Sequence, residues 1–124
     1  MSEVDLSIII PSRNERFLNE TILDIIEKAQ TNFEILVILE GYWPDEIIDS
    51  PRVHYIHFPV PRGMRGAINA GVAAARGKHI LKCDAHCMFA PGFDKVLIDT
   101  TCSFYYEFPT CRYHYYTQFL LNCK

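Results

Sequence analysis

Apolar residues fall along this chain in two alternating rhythms, and the breaks between them define the elements. Leu6 to Ile10 is a short β-branched run ended by Pro11, which reads as a buried strand. Leu18, Ile22, Ile25, Ile26 and Ala29 then recur at helical spacing, with Ser12 and Glu15 as a capping box ahead of them. This predicts a helix over Glu15 to Gln30. Phe33 to Leu39 is a second apolar run, too short and too β-branched for a helix, and it stops at Glu40-Gly41.

Tyr42 to Arg52, with its prolines and acidic residues, reads as a loop with one helical turn around Asp45 to Ile48. Val53 to Phe58 gives a third strand, bounded by Pro59 and Pro61. Met64, Ile68, Gly71, Val72 and Ala75 line one helical face over Gly63 to Arg76, and Gly77 stands where a helix end favours a left-handed residue. The small residues of that face let the helix lie close to a sheet. His79 to Cys83 is a fourth strand, Pro91-Gly92 a turn, and Phe93 to Ile98 a short helix.

Strands and helices that alternate over short connections specify an α/β fold: an open, mostly parallel sheet with helices on both faces, joined by right-handed crossovers. Beyond Thr100 the rhythm is lost. Five of the seven tyrosines lie in Thr101 to Lys124, where Tyr113 and Tyr115 permit an edge strand. Residues 1–99 therefore read as the α/β region and residues 100–124 as a divergent tail.

Composition narrows the function. With 124 residues, 49% of them hydrophobic and 22% charged, the chain has the makeup of one globular domain. A net charge of -3 and a pI near 5.9 argue against a nucleic-acid binder working through a broad cationic face. No stretch approaches the roughly 20 apolar residues that span a bilayer, and Met-Ser-Glu-Val-Asp lacks the features of a signal peptide. The cytoplasm is the expected location. The cysteine count of 5 is odd, and Cys102, Cys111 and Cys123 cluster late, so reduced thiols fit better than a disulfide framework.

Polar residues cluster at each strand exit. Ser12, Arg13, Asn14 and Glu15 follow the first strand, Glu40 the second, Arg62 and Arg65 the third, and Asp84 and His86 the fourth. In an open parallel sheet, ligands bind beyond the carboxyl ends of the strands. Residues two apart on a strand share a side, so the Asp84 carboxylate and the His86 imidazole can converge on a divalent cation whose remaining positions a diphosphate fills. A plain surface pair is the alternative.

Zinc is another: Cys83-x3-Cys87 with His86, and with Cys102 or His114, meets the spacing of a structural site, although Cys83 belongs to an apolar strand. Gly63-x-x-Gly66 at a helix start can bring backbone N–H groups to a phosphate, with Arg62 and Arg65 beside it. Pro-Ser-Arg-Asn after the first strand has no glycine and fails the dinucleotide fingerprint. His54, His57 and His79 read as structural. Tyr42 and Trp43 read as a loop cap over the core, with base stacking as the other option.

Taken together, "LSIIIPSRNE", "FEILVILEG" and "GMRGAINAGVAAARGKHILKCDAH" resemble the nucleotide-binding half of a family 2 glycosyltransferase of the GT-A fold, over Leu6 to Leu97. The resemblance implies a nucleoside-diphosphate sugar donor, UDP- or GDP-linked, an acceptor of unknown identity, and Mn2+ or Mg2+. By position, Pro11, Asn14 and Glu15 would border the nucleoside, and Glu40 would lie near the base or ribose. Met64 stands where one variant of the family has a lysine, with Arg65 next to it. Asp84-Ala85-His86 stands at the Asp-x-Asp metal motif, in an Asp-x-His form similar to that of polypeptide N-acetylgalactosaminyltransferases.

An imidazole softens that site and favours Mn2+. The family continues into a second half that carries the acceptor surface and the base, whereas here Asp94, Asp99 and Glu107 are the carboxylates that remain after the metal motif. The expectation is therefore a truncated or divergent donor-binding module with little transferase activity alone and a tendency to self-associate. A scaffold that keeps the fold without the chemistry is the competing reading.

Overall fold

In the computed structural model, residues 3–107 and 120–123 are described. Their elements run β1 (Leu6–Ser12), α1 (Leu18–Lys28), β2 (Phe33–Glu40), β3 (Val53–Phe58), α2 (Gly63–Ala74), β4 (His79–Lys82), α3 (Phe93–Glu107) and β5 (Leu120–Cys123). The sheet order is β3-β2-β1-β4-β5, with the first four strands mutually parallel and β5 antiparallel at the edge. This is the α/β architecture expected. The expected edge strand at Tyr113 and Tyr115 lies outside the described residues.

The alternation of side chains along β1 divides the core in two. Leu6, Ile8 and Ile10 pack with Leu18, Ile22 and Ile25 of α1 and with Phe93 of α3 on one face. Ile9 packs with Leu36, Ile38, Ile80 and Ala67 of α2 on the other. Helices thus cover both faces, and β1 and β2, sandwiched between them, are almost wholly buried.

Two polar locks hold the strand starts and the first crossover. Buried Glu34 accepts the Ser7 hydroxyl and the Arg76 backbone N–H, each at 2.7 Å, and its other oxygen takes Arg76 Nε at 3.0 Å. Asp94 is fully buried and accepts the backbone N–H groups of Gln30 and Thr31 and the Thr31 hydroxyl, so it anchors the chain leaving α1. Burial alone would raise both carboxyls. The hydrogen bonds outweigh it and hold each below its ordinary value.

Several local expectations are corrected. The strand does not stop at Pro11: β1 continues to Ser12, pairing Pro11 with Ile38. The odd-numbered residues of β1 turn their backbone groups toward β4, as the Cys83 N–H to Ile9 carbonyl bond shows. β4 pairs with β1 no further than Ile9, so the N–H that proline lacks has no strand to meet.

Helix α1 starts at Leu18 rather than Glu15, behind Phe17 and with no side-chain cap, because Ser12 is still in the strand. Gly77 is not left-handed. Glycine is required there because a Cβ would lie 2.6 Å from the Ser7 backbone nitrogen. Asp45 to Ile48 makes no helical turn, only bends, and the Ile48 N–H is satisfied by the Tyr55 hydroxyl at 2.9 Å. α3 runs to Glu107, well past Ile98.

Candidate functional site

In a sheet ordered β3-β2-β1-β4, the chain runs outward from β1 to β2 and β3 and then crosses back past β1 to β4 on its other side, and a crevice opens where the strand order reverses. That switch point lies between the carboxyl ends of β1 and β4. Because β4 is already past its last pairing opposite Ile9, the crevice is bordered by Pro11 on one side and by Cys83 and Asp84 on the other. All four parallel strands end on this rim, as their exit clusters required.

The loop after β1 turns sharply. Asn14 holds φ at 53°, a left-handed conformation that asparagine tolerates better than most residues. Arg13, Asn14 and Glu15 are exposed there, whereas Ser12 is buried and its hydroxyl is taken by Tyr42. Tyr42 packs on the core as the cap reading required. Trp43 does not: it is 57% exposed and stacks on His57 with ring centroids 4.8 Å apart.

On the α2 side of the rim, buried Glu40 accepts the Arg62 N–H at 3.0 Å and lies 3.5 Å from the Arg13 guanidinium. The Arg62 guanidinium rests over the Phe58 ring, 4.0 Å from its centroid. Gly63 opens α2 with φ at 84°, no side chain caps this helix start, and Arg65 stands exposed in its first turn. Lys82 contributes an ammonium that pairs with Asp84 Oδ1 at 2.5 Å. Two sets of paired charges, Arg13–Glu40–Arg62 and Lys82–Asp84, therefore stand on the α2 side of the rim.

Asp84 and His86 do not lie on a strand, which corrects the premise that placed them side by side. β4 ends at Lys82, and the chain bends at Ala85 and His86. Thr21 is the cause. Its hydroxyl lies 3.0 Å from the Ala85 carbonyl and accepts the Cys87 N–H at 3.2 Å, which draws the loop over the start of α1. Cys83 and Ala85 are buried on the α1 face, so Asp84 between them emerges on the α2 side beside Lys82.

The exposed His86 instead lines a cavity of 710 Å³ on the α1 side, together with Glu15, Phe17, Glu20 and Asp24. Glu15 also borders a second cavity of 360 Å³ toward Tyr42 and Glu46. Asp84 lines neither of these two. The structure thus links Arg13 and Arg62 through Glu40, sets Asp84 with Lys82 on the same side of the sheet, and places Glu15 and His86 apart on the α1 side.

Among the described residues no three His, Cys, Asp or Glu side chains gather closely enough to hold a metal by themselves. The Cys102 side chain and His114, the further zinc ligands considered, lie outside the described part. Cys83 and Cys87 are free thiols that hydrogen-bond to each other. That bond is the main reason the Cys87 thiol is held down to about 6, against its own partial burial and with help from the Asp84 backbone N–H. Cys83, its buried partner, is pushed up by the same bond and by burial.

Two contributors are missing from the sequence reading, Lys82 and Thr21, and Cys83 and Cys87 enter it as zinc ligands rather than as a thiol pair. Lys82 interrupts an apolar strand, and Thr21 interrupts the apolar stripe of α1 next to Ile22, which was the available signal. Of the histidines read as structural, His79 is buried with Nδ1 3.3 Å from the Asp5 carbonyl, His57 is half-buried under Trp43, and His54 is exposed. Asp94 is taken up by its structural bonds. No helix of the described residues is long and apolar enough to cross a membrane.

The sequence model of the family described as Glycosyl transferase family 2 matches residues 7–118. No curated protein matches the chain.

Proposed function

The chain belongs to glycosyl transferase family 2, and on that premise we propose that its β1–β4 rim binds the diphosphate of a nucleoside-diphosphate sugar, UDP- or GDP-linked, for transfer of the sugar to an acceptor. The observation that carries this reading is the linked set Arg13, Glu40 and Arg62 together with the Lys82–Asp84 pair, all on the α2 side of the sheet at the strand exits. A diphosphate is compact and strongly anionic, so it needs local cations rather than a basic surface, and the acidic overall balance of this chain is compatible with that.

Each residue has a role that its setting permits. Glu40 is held by its bonds to Arg62 and Arg13, so a ribose hydroxyl would meet a carboxylate already fixed in place. Arg62 and Arg65, at the uncapped start of α2, would receive phosphate oxygens along with the free N–H groups of that helix turn. Pro11 and Asn14 border the crevice from the β1 side. Lys82 would place positive charge next to the leaving diphosphate.

Asp84 is the residue that would hold a divalent cation: it is 45% exposed with Oδ2 outside its Lys82 pair. His86 opens to solvent on the α1 side, so it would serve as second donor only once the loop turns its imidazole to the α2 side, and an oxygen and a nitrogen ligand together would then favour Mn2+ over Mg2+. When bound, the ion would neutralise charge on the departing nucleoside diphosphate.

The test is calorimetric titration of UDP and GDP with and without Mn2+, on wild type and Asp84→Asn. A loss of about tenfold in affinity, or about 1.4 kcal/mol, is expected for the variant in Mn2+. Equal affinities for the two proteins would remove Asp84 from the site, and no binding of either nucleotide by wild type would remove the site itself.

A further inference from the structure

The loop that carries Asp84 and His86 is bracketed by two cysteines, Cys83 and Cys87. Cys83 is fully buried, with its N–H fixed to the Ile9 carbonyl at 3.0 Å, and it is the rigid partner. Cys87 is half-buried and lines the cavity that holds His86, so a small molecule can reach it. The bends at Ala85 and His86 fold the segment back, and Cys83 and Cys87 both pack on the core cluster of the α1 face. Two thiols four residues apart on the same side of a bent loop can be brought to disulfide distance by movement of that loop alone.

We infer that Cys83 and Cys87 form a reversible dithiol–disulfide couple that resets the loop between them, and with it the placement of Asp84 and His86. The oxidant is a low-molecular-weight disulfide of the glutathione class. Cys87 Sγ attacks its S–S bond; one thiol leaves and takes up the Cys87 proton, and a mixed disulfide remains on Cys87. Cys83 Sγ then attacks Cys87 Sγ and loses its own proton. The intramolecular S–S bond forms as the second small thiol departs, so two protein thiols are oxidised and one small disulfide is reduced.

The order follows from access: the reachable sulfur reacts first and the buried one resolves it. Closing the ring shortens the reach between Cys83 and Cys87. It competes with the Cys87 N–H bond to Thr21 that now holds the loop against α1. His86, next to Cys87 and exposed, is the side chain whose surroundings change most.

The sequence makes the test direct, because cleavage after Lys82 and Lys95 releases one peptide that contains Cys83 and Cys87 and no other cysteine. The full chain is equilibrated in glutathione buffers from reducing to oxidising, quenched with iodoacetamide and digested. The expected result is a Cys83–Lys95 peptide two hydrogens lighter than the dithiol form, unalkylated, restored by reductant and absent in Cys87→Ser. The His86 ring resonances should shift between the two forms. A stable glutathione adduct on Cys87, a crosslink from either thiol to Cys102, Cys111 or Cys123, or full alkylation in every buffer would overturn the couple. A cyclised peptide with unmoved His86 resonances would overturn its control of the loop.

Discussion

Glu40, the last residue of β2, accepts the backbone N–H of Arg62 at 3.0 Å, and this bond joins the end of a buried strand to the N-cap of α2. Main chain, not side chain, is the donor, so the position of the whole helix start depends on one carboxylate. Glu40 is buried and its second oxygen faces Arg13. Removing it leaves the Arg62 N–H without its acceptor. Glu40→Ala should therefore lower unfolding stability by about 1–3 kcal/mol, the range for a lost buried partner. Urea unfolding measures this, and Glu40→Gln, which keeps an acceptor oxygen, should recover most of it. A wild-type midpoint in Glu40→Ala would show that the bond contributes nothing.

Asp94 and Glu34 give the fold an acid limit. Both titrate lower in the folded chain than in the unfolded one, because hydrogen bonds to the charged form outweigh burial. Below the ordinary carboxylate value of about 4 the unfolded chain binds more protons, so their contribution is complete above that pH and is lost as pH falls through the folded values. Thermal melts should show a steep loss of stability below about pH 4. Asp94→Asn, which cannot ionise, should be less stable at neutral pH and should lose less on acidification. A parallel pH profile for the two proteins would exclude Asp94 as a source of the acid limit.

The fold was legible because it is written in rhythm. β2 and β3 follow from runs of β-branched residues, and α2 from spaced small and apolar residues, so their bounds agree with the sequence within two residues or better. What rhythm cannot carry is the long-range hydrogen bond. Thr21 lies 64 residues from Ala85, yet it decides that Asp84 and His86 leave a strand instead of extending it. Lys82 likewise looks like an interruption until Asp84 is set beside it. Asp94 reads as an unassigned carboxylate because its partners, Gln30 and Thr31, lie some 63 residues earlier in the turn that follows α1. The strand exits of the candidate site were readable, and the side of the sheet on which each residue emerges was not.

Thr21 therefore makes a prediction of its own. Thr21→Val keeps the shape and the branching at Cβ but removes the acceptor for the Cys87 N–H and the hydroxyl beside the Ala85 carbonyl. The loop should loosen while α1 stays helical. Amide exchange at Cys87 should speed up by about tenfold or more, matching a local loss of about 1–2 kcal/mol. Exchange at Ile22 and Ile25 should change little. If Cys87 exchanges at the wild-type rate in Thr21→Val, another contact holds the loop and the account of its bend fails.

The closeness of α2 to the sheet rests on Gly71, and this can be checked by adding a single carbon. A Cβ at that position would lie 2.6 Å from Ile9 Cγ2 and 3.0 Å from Cγ1, closer than packed carbons approach. Ile9 is fully buried in the middle of β1 and cannot step aside. Gly71→Ala gains helix propensity, worth about 1 kcal/mol, but overpacking costs about 1–3 kcal/mol, so the clash should win or at least cancel the gain. Ile9→Ala alone should cost about 2–5 kcal/mol through the cavity it leaves. Because the new methyl group would occupy part of that cavity, the double variant should be more stable than the sum of the two single changes predicts. Strict additivity across the cycle would mean that α2 shifts away from β1, and the start of α2 with Arg62 and Arg65 would then move with it.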